Sequence, residues 1–133
     1  MLKKIIKDKD QELSFKDCII NSHPTGSRYI CNPPVLTTDK DTAILVDGFE
    51  DYQSLLAKEG WDMSNDGYAV DGYFTSWRKG EENYILIEDE KYYDAFIVAT
   101  EAAKALNLLD KADRITLFES VIDSMMGWED LQI

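Results

Sequence analysis

Apolar side chains run without a polar break through Ala43, Ile44, Leu45 and Val46. A strand that reads as continuously apolar is buried on both faces of a sheet. The run predicts a central strand over 42–46, ended by Asp47-Gly48. The period changes next. Tyr52, Leu55 and Leu56 recur at helical spacing, which predicts a helix over 50–59 that also turns Trp61 inward and stops at Gly60. A turn is expected at Ser64-Asn65-Asp66-Gly67, then a strand over 68–77 whose most core-like residues are Phe74 and Trp77. Arg78-Lys79-Gly80-Glu81 reads as a hairpin loop, and 83–88 as a second strand of high β-propensity.

The last third is helical. Tyr92, Phe96, Ala99, Ala103 and Leu106 form one stripe over 91–107. Ile115, Phe118, Ile122 and Met125 form another over 111–126, with Asp110 placed to cap its start and Gly127 to end it. The N-terminal end is less patterned. Residues 11–22 fit a helix from about residue 8 that gives way to a brief strand near 18–22, since short apolar runs fit both periods. His23-Pro24-Thr25-Gly26-Ser27 is a breaker cluster, and Asn32-Pro33-Pro34 excludes a regular helix over 28–38. These elements predict an α+β fold: a small mixed β-sheet flanked by helices, with helices covering one side and the last two packed as an antiparallel C-terminal pair. With no repeat and no linker, residues 1–133 are expected to form a single domain.

Charge narrows the partners. Fourteen basic against 26 acidic residues leave a net charge of −12. Sequence-independent binding to a nucleic-acid backbone needs a lysine and arginine surface, so broad DNA binding is not expected. A nucleotide carried by a divalent cation stays open, because the ion inverts the local charge logic. No apolar run approaches the ~20 residues of a membrane span, and no signal peptide is read at the N-terminus. Cys18 and Cys31 read as reduced thiols, which points to the cytoplasm.

Two short motifs carry candidate chemistry. In Gly26-Ser27-Arg28, glycine lets the backbone approach a phosphate, serine can bond its oxygens, and Arg28 can add a planar donor fork. Asp39 and Asp41, at alternate positions opening a strand, turn two carboxylates to one face, where they can share a Mg2+ ion. Taken singly, each motif reads more readily as an ordinary turn. Arg78 and Lys79 either contact phosphates or form a charged hairpin tip. Lys104, Lys111 and Arg114 read as a solvated helix face, His23 as a capping or solvent-facing residue, and Cys31 as a packed small residue.

The order of the motifs is more specific. Glycine-serine, a gap of eleven residues, and D-x-D opening a strand together resemble the signature of the nucleotidyltransferase superfamily with a polymerase-β-like fold. Beyond it, G-S-R-Y-I-C-N-P-P, F-T-S-W-R-K-G-E-E-N-Y-I-L-I and A-T-E-A-A-K-A-L-N-L-L-D-K-A-D-R-I-T-L-F are similar to small nucleotidyltransferase-like proteins encoded by bacteriophages. The resemblance covers about residues 18–121. It implies a nucleoside triphosphate held at Gly26, Ser27, Arg28 and Arg78, magnesium at Asp39 and Asp41, and a third catalytic acid on a later strand. At that third position stands Asn83, an amide that cannot act as a base; Glu82 lies on the opposite face of the strand, and Glu88 and Asp89 at its far end.

Two functions follow from the resemblance. One is magnesium-dependent transfer of a nucleotidyl group from a triphosphate to an unknown acceptor, such as a host protein or RNA. The alternative is an inactive relative that binds a nucleotide or a host protein in the bacterial cytoplasm. Asn83 favours the second, and the intact Gly26-Ser27 and Asp39–Asp41 pair the first.

Overall fold

A computed structural model describes residues 19–35, 39–64 and 73–127. Its elements run β1 (Asn21–Thr25), α1 (Ser27–Ile30), β2 (Lys40–Leu45), α2 (Phe49–Lys58), β3 (Asp62–Ser64), β4 (Phe74–Lys79), β5 (Glu82–Ile87), α3 (Glu90–Ala105) and α4 (Lys111–Met126). The strands form one sheet in the order β1-β2-β5-β4-β3. Only β2 and β5 pair in parallel; the other neighbours are antiparallel. The fold is α+β with a mixed sheet and a C-terminal helical pair, as the hydrophobic pattern predicts.

The unbroken apolar run of β2 is explained by two cores. On one face, Ala43 and Leu45 join Ile85 and Ile87 of β5 under Tyr92, Phe96, Ala99 and Ala103 of α3, with Phe118 and Ile122 of α4 in the same cluster. On the other, Ile44 and Val46 join Leu86 and Trp77 under Tyr52 and Leu56 of α2. Helices therefore cover both faces, not one. The chain must cross from β2 to a parallel neighbour, and α2 lies on that crossover.

Local chemistry sets the helix ends. Asp89 accepts from the Tyr92 amide and Asp110 from the Ala112 amide, so each helix of the pair starts on a capped donor. Gly127, at φ 81°, closes α4.

Several expected boundaries move. The first strand lies at Asn21–Thr25 and takes in His23-Pro24, read above as a breaker. Pro24 is tolerated because β1 is last in the described sheet, where its missing N–H removes no ladder bond. A single helical turn, Ser27–Ile30, enters a stretch expected to lack one; it stops at Cys31, just before the cis Asn32-Pro33 bond. β2 starts at Lys40 rather than Thr42, its amide donating to the Glu81 carbonyl. β3 was not foreseen: three residues carry too little periodicity to register. β4 runs to Lys79, so Arg78 and Lys79 are strand residues and the turn shrinks to Gly80-Glu81. Leu106 follows the last helical residue and is 63% exposed. Met125 is 37% exposed, and Met126 takes its expected place against the core. The helix expected from residue 8, Cys18 and the turn residues 65–67 lie outside the described residues, as do residues 68–72 of the strand expected at 68–77.

Candidate functional site: a polar row across the sheet

Sheet register assembles the site. Thr25 of β1 lies opposite Asp41 of β2, Asp41 opposite Asn83 of β5, Asn83 opposite Arg78 of β4, and Arg78 opposite Asp62 of β3. Directly paired residues turn to the same face of a sheet. That face is the one under α3: the Thr25 hydroxyl lies 2.8 Å from that of Thr100, which itself donates to the Phe96 carbonyl. Thr100 has thereby used its proton, so Thr25 is the donor to it.

The row is joined by side chains. Asn83 Nδ2 donates to Asp41 Oδ1 at 3.0 Å. Asp39, two residues before Asp41, pairs its Oδ2 with Arg78 Nη2 at 2.9 Å. Asp39, Asp41, Asn83 and Arg78 are thus gathered at the N-terminal ends of the two parallel strands. Sequence alone did not place Arg78 beside Asp39, because that needs the register of two strand pairs. Nor did it find Asp62 or Thr25, for the same reason.

Gly26 leaves room for the Asp41 side chain. Its φ of 80° with ψ of 178° is a region open in practice only to glycine. A Cβ there would stand 2.1 Å from Asp41 Oδ2. The Asp41 carboxylate therefore packs against the glycine through Oδ2 and accepts from Asn83 through Oδ1. Gly26 also supplies the carbonyl that accepts from the Tyr29 and Ile30 amides, which forms α1. Ser27 opens that turn.

Arg28 is turned across the site's rim to Glu81, Nη2 to Oε1 at 2.9 Å. Behind the turn, Lys104 donates to the Tyr29 carbonyl at 3.0 Å and sits 4.5 Å from its ring centroid. The Tyr29 hydroxyl donates to Glu101, which holds its pKa above the ordinary tyrosine value of 10.0, with burial and the Glu101 charge adding to the effect. His23 Nε2 lies 3.2 Å from the same carboxylate. His23 and Lys104 are therefore engaged around Tyr29 rather than simply facing solvent. Arg114 is structural: its Nη1 donates to the Leu108 and Leu109 carbonyls and reaches buried Cys31 at 3.4 Å.

The remaining acids have other tasks. Glu82 is in register with Lys40, on the opposite face from Asn83. Glu88 accepts from the Phe49 amide at the start of α2, and Asp89 caps α3. Beyond Arg78 a groove of about 410 Å³ opens among Gly60, Asp62, Met63, Arg78, Lys79 and Gly80. Lys79 closes one side of it with a 2.7 Å bond to the Glu59 carbonyl.

The row's oxygens that a hard cation could use belong to Asp39, Asp41 and Asn83. Asn83 is 8% exposed, and its Oδ1 has no hydrogen-bond partner. That orphan acceptor belongs to the side chain bonded to Asp41, and carboxylate and amide oxygens are hard-cation ligands. No group of three or more His, Cys, Asp or Glu side chains able to hold a metal occurs among the described residues, so a cation here would rest on two carboxylates and the Asn83 amide. Arg78 cancels one of the two negative charges as well.

No family model matches the chain, and no curated protein matches it. A solved structure of the conserved protein GrpB from Enterococcus faecalis superposes with a TM-score of 0.45 at 11% identity, covering 96% of this chain and 92% of that one. Likeness at that level assigns neither a family nor an activity. No helix among the described residues is long and apolar enough to cross a membrane.

Proposed function

We propose that this chain carries a nucleotidyltransferase-like site that binds a nucleoside triphosphate with one magnesium ion and transfers its nucleotidyl group poorly or not at all. The observation that carries this reading is Asn83. It stands in register with Asp41, where the resemblance calls for a third acid, and its amide protons are turned to the Asp41 carboxylate. A carboxamide is too weakly basic to take a proton from an attacking hydroxyl.

Asp39, Asp41 and Asn83 Oδ1 would hold the ion. The ion would neutralise phosphate charge and polarise a phosphoryl oxygen. Ser27 and the backbone beside Gly26 would face the phosphates. Arg78 and Arg28 would supply planar donor forks from opposite rims. The groove beside Arg78 is open space next to one of those forks.

A second reading, active transfer to a host protein or RNA, is favoured by one specific feature: Asp39 and Asp41 reach the same face, as two metal-binding acids must. One experiment separates the readings. Calorimetry with each triphosphate and Mg2+ is run beside label transfer to total bacterial RNA and protein, using wild type, Asp39→Asn/Asp41→Asn and Asn83→Asp. The proposal expects magnesium-dependent binding lost in the double variant, no transfer by wild type, and transfer raised at least tenfold by Asn83→Asp. Transfer by wild type that disappears in the double variant would establish the enzyme instead. Absence of triphosphate binding would end both readings and leave a host-protein partner.

A further inference from the structure

We infer that Arg78 is a built-in counter-cation that keeps Asp39 closed to a bare divalent ion, so that the ion is accepted only when a phosphate ligand draws the guanidinium away. The inference rests on the single-ion reading above and specifies how that site is controlled.

Three observations point to it. Arg78 belongs to β4, not to a loose hairpin tip, so the sheet itself sets its position one strand from Asn83. Its Nη2 meets Asp39 Oδ2 at 2.9 Å, and both side chains are about two-thirds buried, at 36% and 34% exposure. A pair shielded to that degree is screened less than a surface pair. The third is the orphan Oδ1 of Asn83 in the same row, a buried acceptor with no donor. The row thus holds an acceptor suited to a cation together with a cation that already occupies part of the carboxylate set.

A divalent ion arriving alone must displace Arg78 from Asp39 and offers the guanidinium no new acceptor. Breaking the partly shielded Arg78–Asp39 pair is unfavourable, and repulsion between the two cations adds to the cost. A triphosphate changes both conditions. Its oxygens accept the guanidinium fork, and its charge offsets the ion's. Ion and phosphate then favour one another's binding, as linkage requires. The groove that Arg78 lines is open space beside its side chain.

Binding of Mn2+ alone, followed by the loss of its free electron-spin-resonance signal, tests this with no nucleotide present. Arg78→Met should bind Mn2+ at least fivefold more tightly than wild type. Arg78→Lys, which keeps the charge, should stay within twofold of wild type, and adding Asp39→Asn to Arg78→Met should erase the gain. Circular dichroism and thermal melting show that each variant is folded, and Arg78→Gln replaces the methionine variant if that one is not. Folded Arg78→Met or Arg78→Gln with unchanged or weaker Mn2+ binding would overturn the inference, as would a gain that survives Asp39→Asn. Because no nucleotide enters the measurement, its outcome does not depend on whether triphosphate binds. If triphosphate binding succeeds and the Mn2+ gain is absent, this inference fails alone.

Discussion

Strands β2 and β5 run side by side, and their two halves differ in what holds them. At the N-terminal half the paired side chains on the α3 face are Asp41 and Asn83. Two residues further on the same face they are Ala43 and Ile85, and then Leu45 and Ile87. The backbone ladder is continuous through both. The apolar half is stabilised by removal of carbon from water, which tolerates small misfits. The polar half is stabilised only as far as its donors and acceptors match, and it leaves Asn83 Oδ1 unmatched. An unsatisfied buried acceptor costs about 1–3 kcal/mol. The apolar half is what a fold requires. The polar half retains an arrangement that folding alone does not favour, and this is the physical reason to treat it as a site.

Replacement of one residue in each half of β5 gives the largest contrast. Ile87 is fully buried, so Ile87→Ala should lose about 2–5 kcal/mol. Asn83→Ala should lose no more than about 1 kcal/mol. It removes one hydrogen bond together with the orphan acceptor, and Asp41 is open enough to gain water in exchange. Urea denaturation of both variants measures the difference. Equal losses would break the comparison and make the polar pair a structural keystone.

Gly26→Ala tests how firmly the polar half is built. Placing a Cβ at φ 80° and ψ 178° should cost about 1–3 kcal/mol of backbone strain, before its clash with Asp41 Oδ2 is counted. Asp41→Ala removes the carboxylate contacts at 2.1 and 2.8 Å, and leaves the Cβ contact at 2.9 Å together with the strain. The double variant should therefore be more stable than the sum of the two single losses implies, by at least about 1 kcal/mol in a double-mutant cycle. Additive losses would show that the carboxylate moves aside freely and that the turn and the acid are not one unit.

The apolar half was legible from the sequence, and the polar half only in fragments. The helical pair followed from stripes such as Phe96–Ala99–Ala103, because burial repeats with the helix period. The 42–46 run announced a strand buried on both faces. Asp39 and Asp41 could be placed on one face by alternation alone. What joins them to Arg78 and Asn83 is register between strands more than thirty residues apart, and register leaves no mark in one sequence. The same limit hid the role of Gly26, whose neighbour Asp41 is brought close by pairing of β1 with β2. Pro24 misled for a different reason: whether a proline breaks a strand depends on whether that strand is an edge, which is a property of the sheet.

The smallest expected effect concerns how the polar half is braced from behind. Tyr29 donates to Glu101, and that bond is the leading reason its pKa lies above 10.0 in the fold. The folded protein therefore holds the phenolic proton more tightly than the unfolded chain does. The stability this contributes is fully present below about pH 10, the unfolded value, and is lost as pH rises through the folded value. Tyr29→Phe should be less stable than wild type at pH 8 by at most about 1 kcal/mol, the worth of a neutral donor on an exposed carboxylate. The gap should then narrow steadily above about pH 10. Tyr84 and Tyr93 are also raised, mainly by burial, so both proteins will lose stability in alkali and only their difference reports on Tyr29. Thermal midpoints of the two proteins, measured in steps through that range, supply the difference. A gap that stays constant would mean that the Glu101 bond does not hold the tyrosine proton, and the brace behind the glycine turn would then rest on Lys104 and the Tyr29 carbonyl alone.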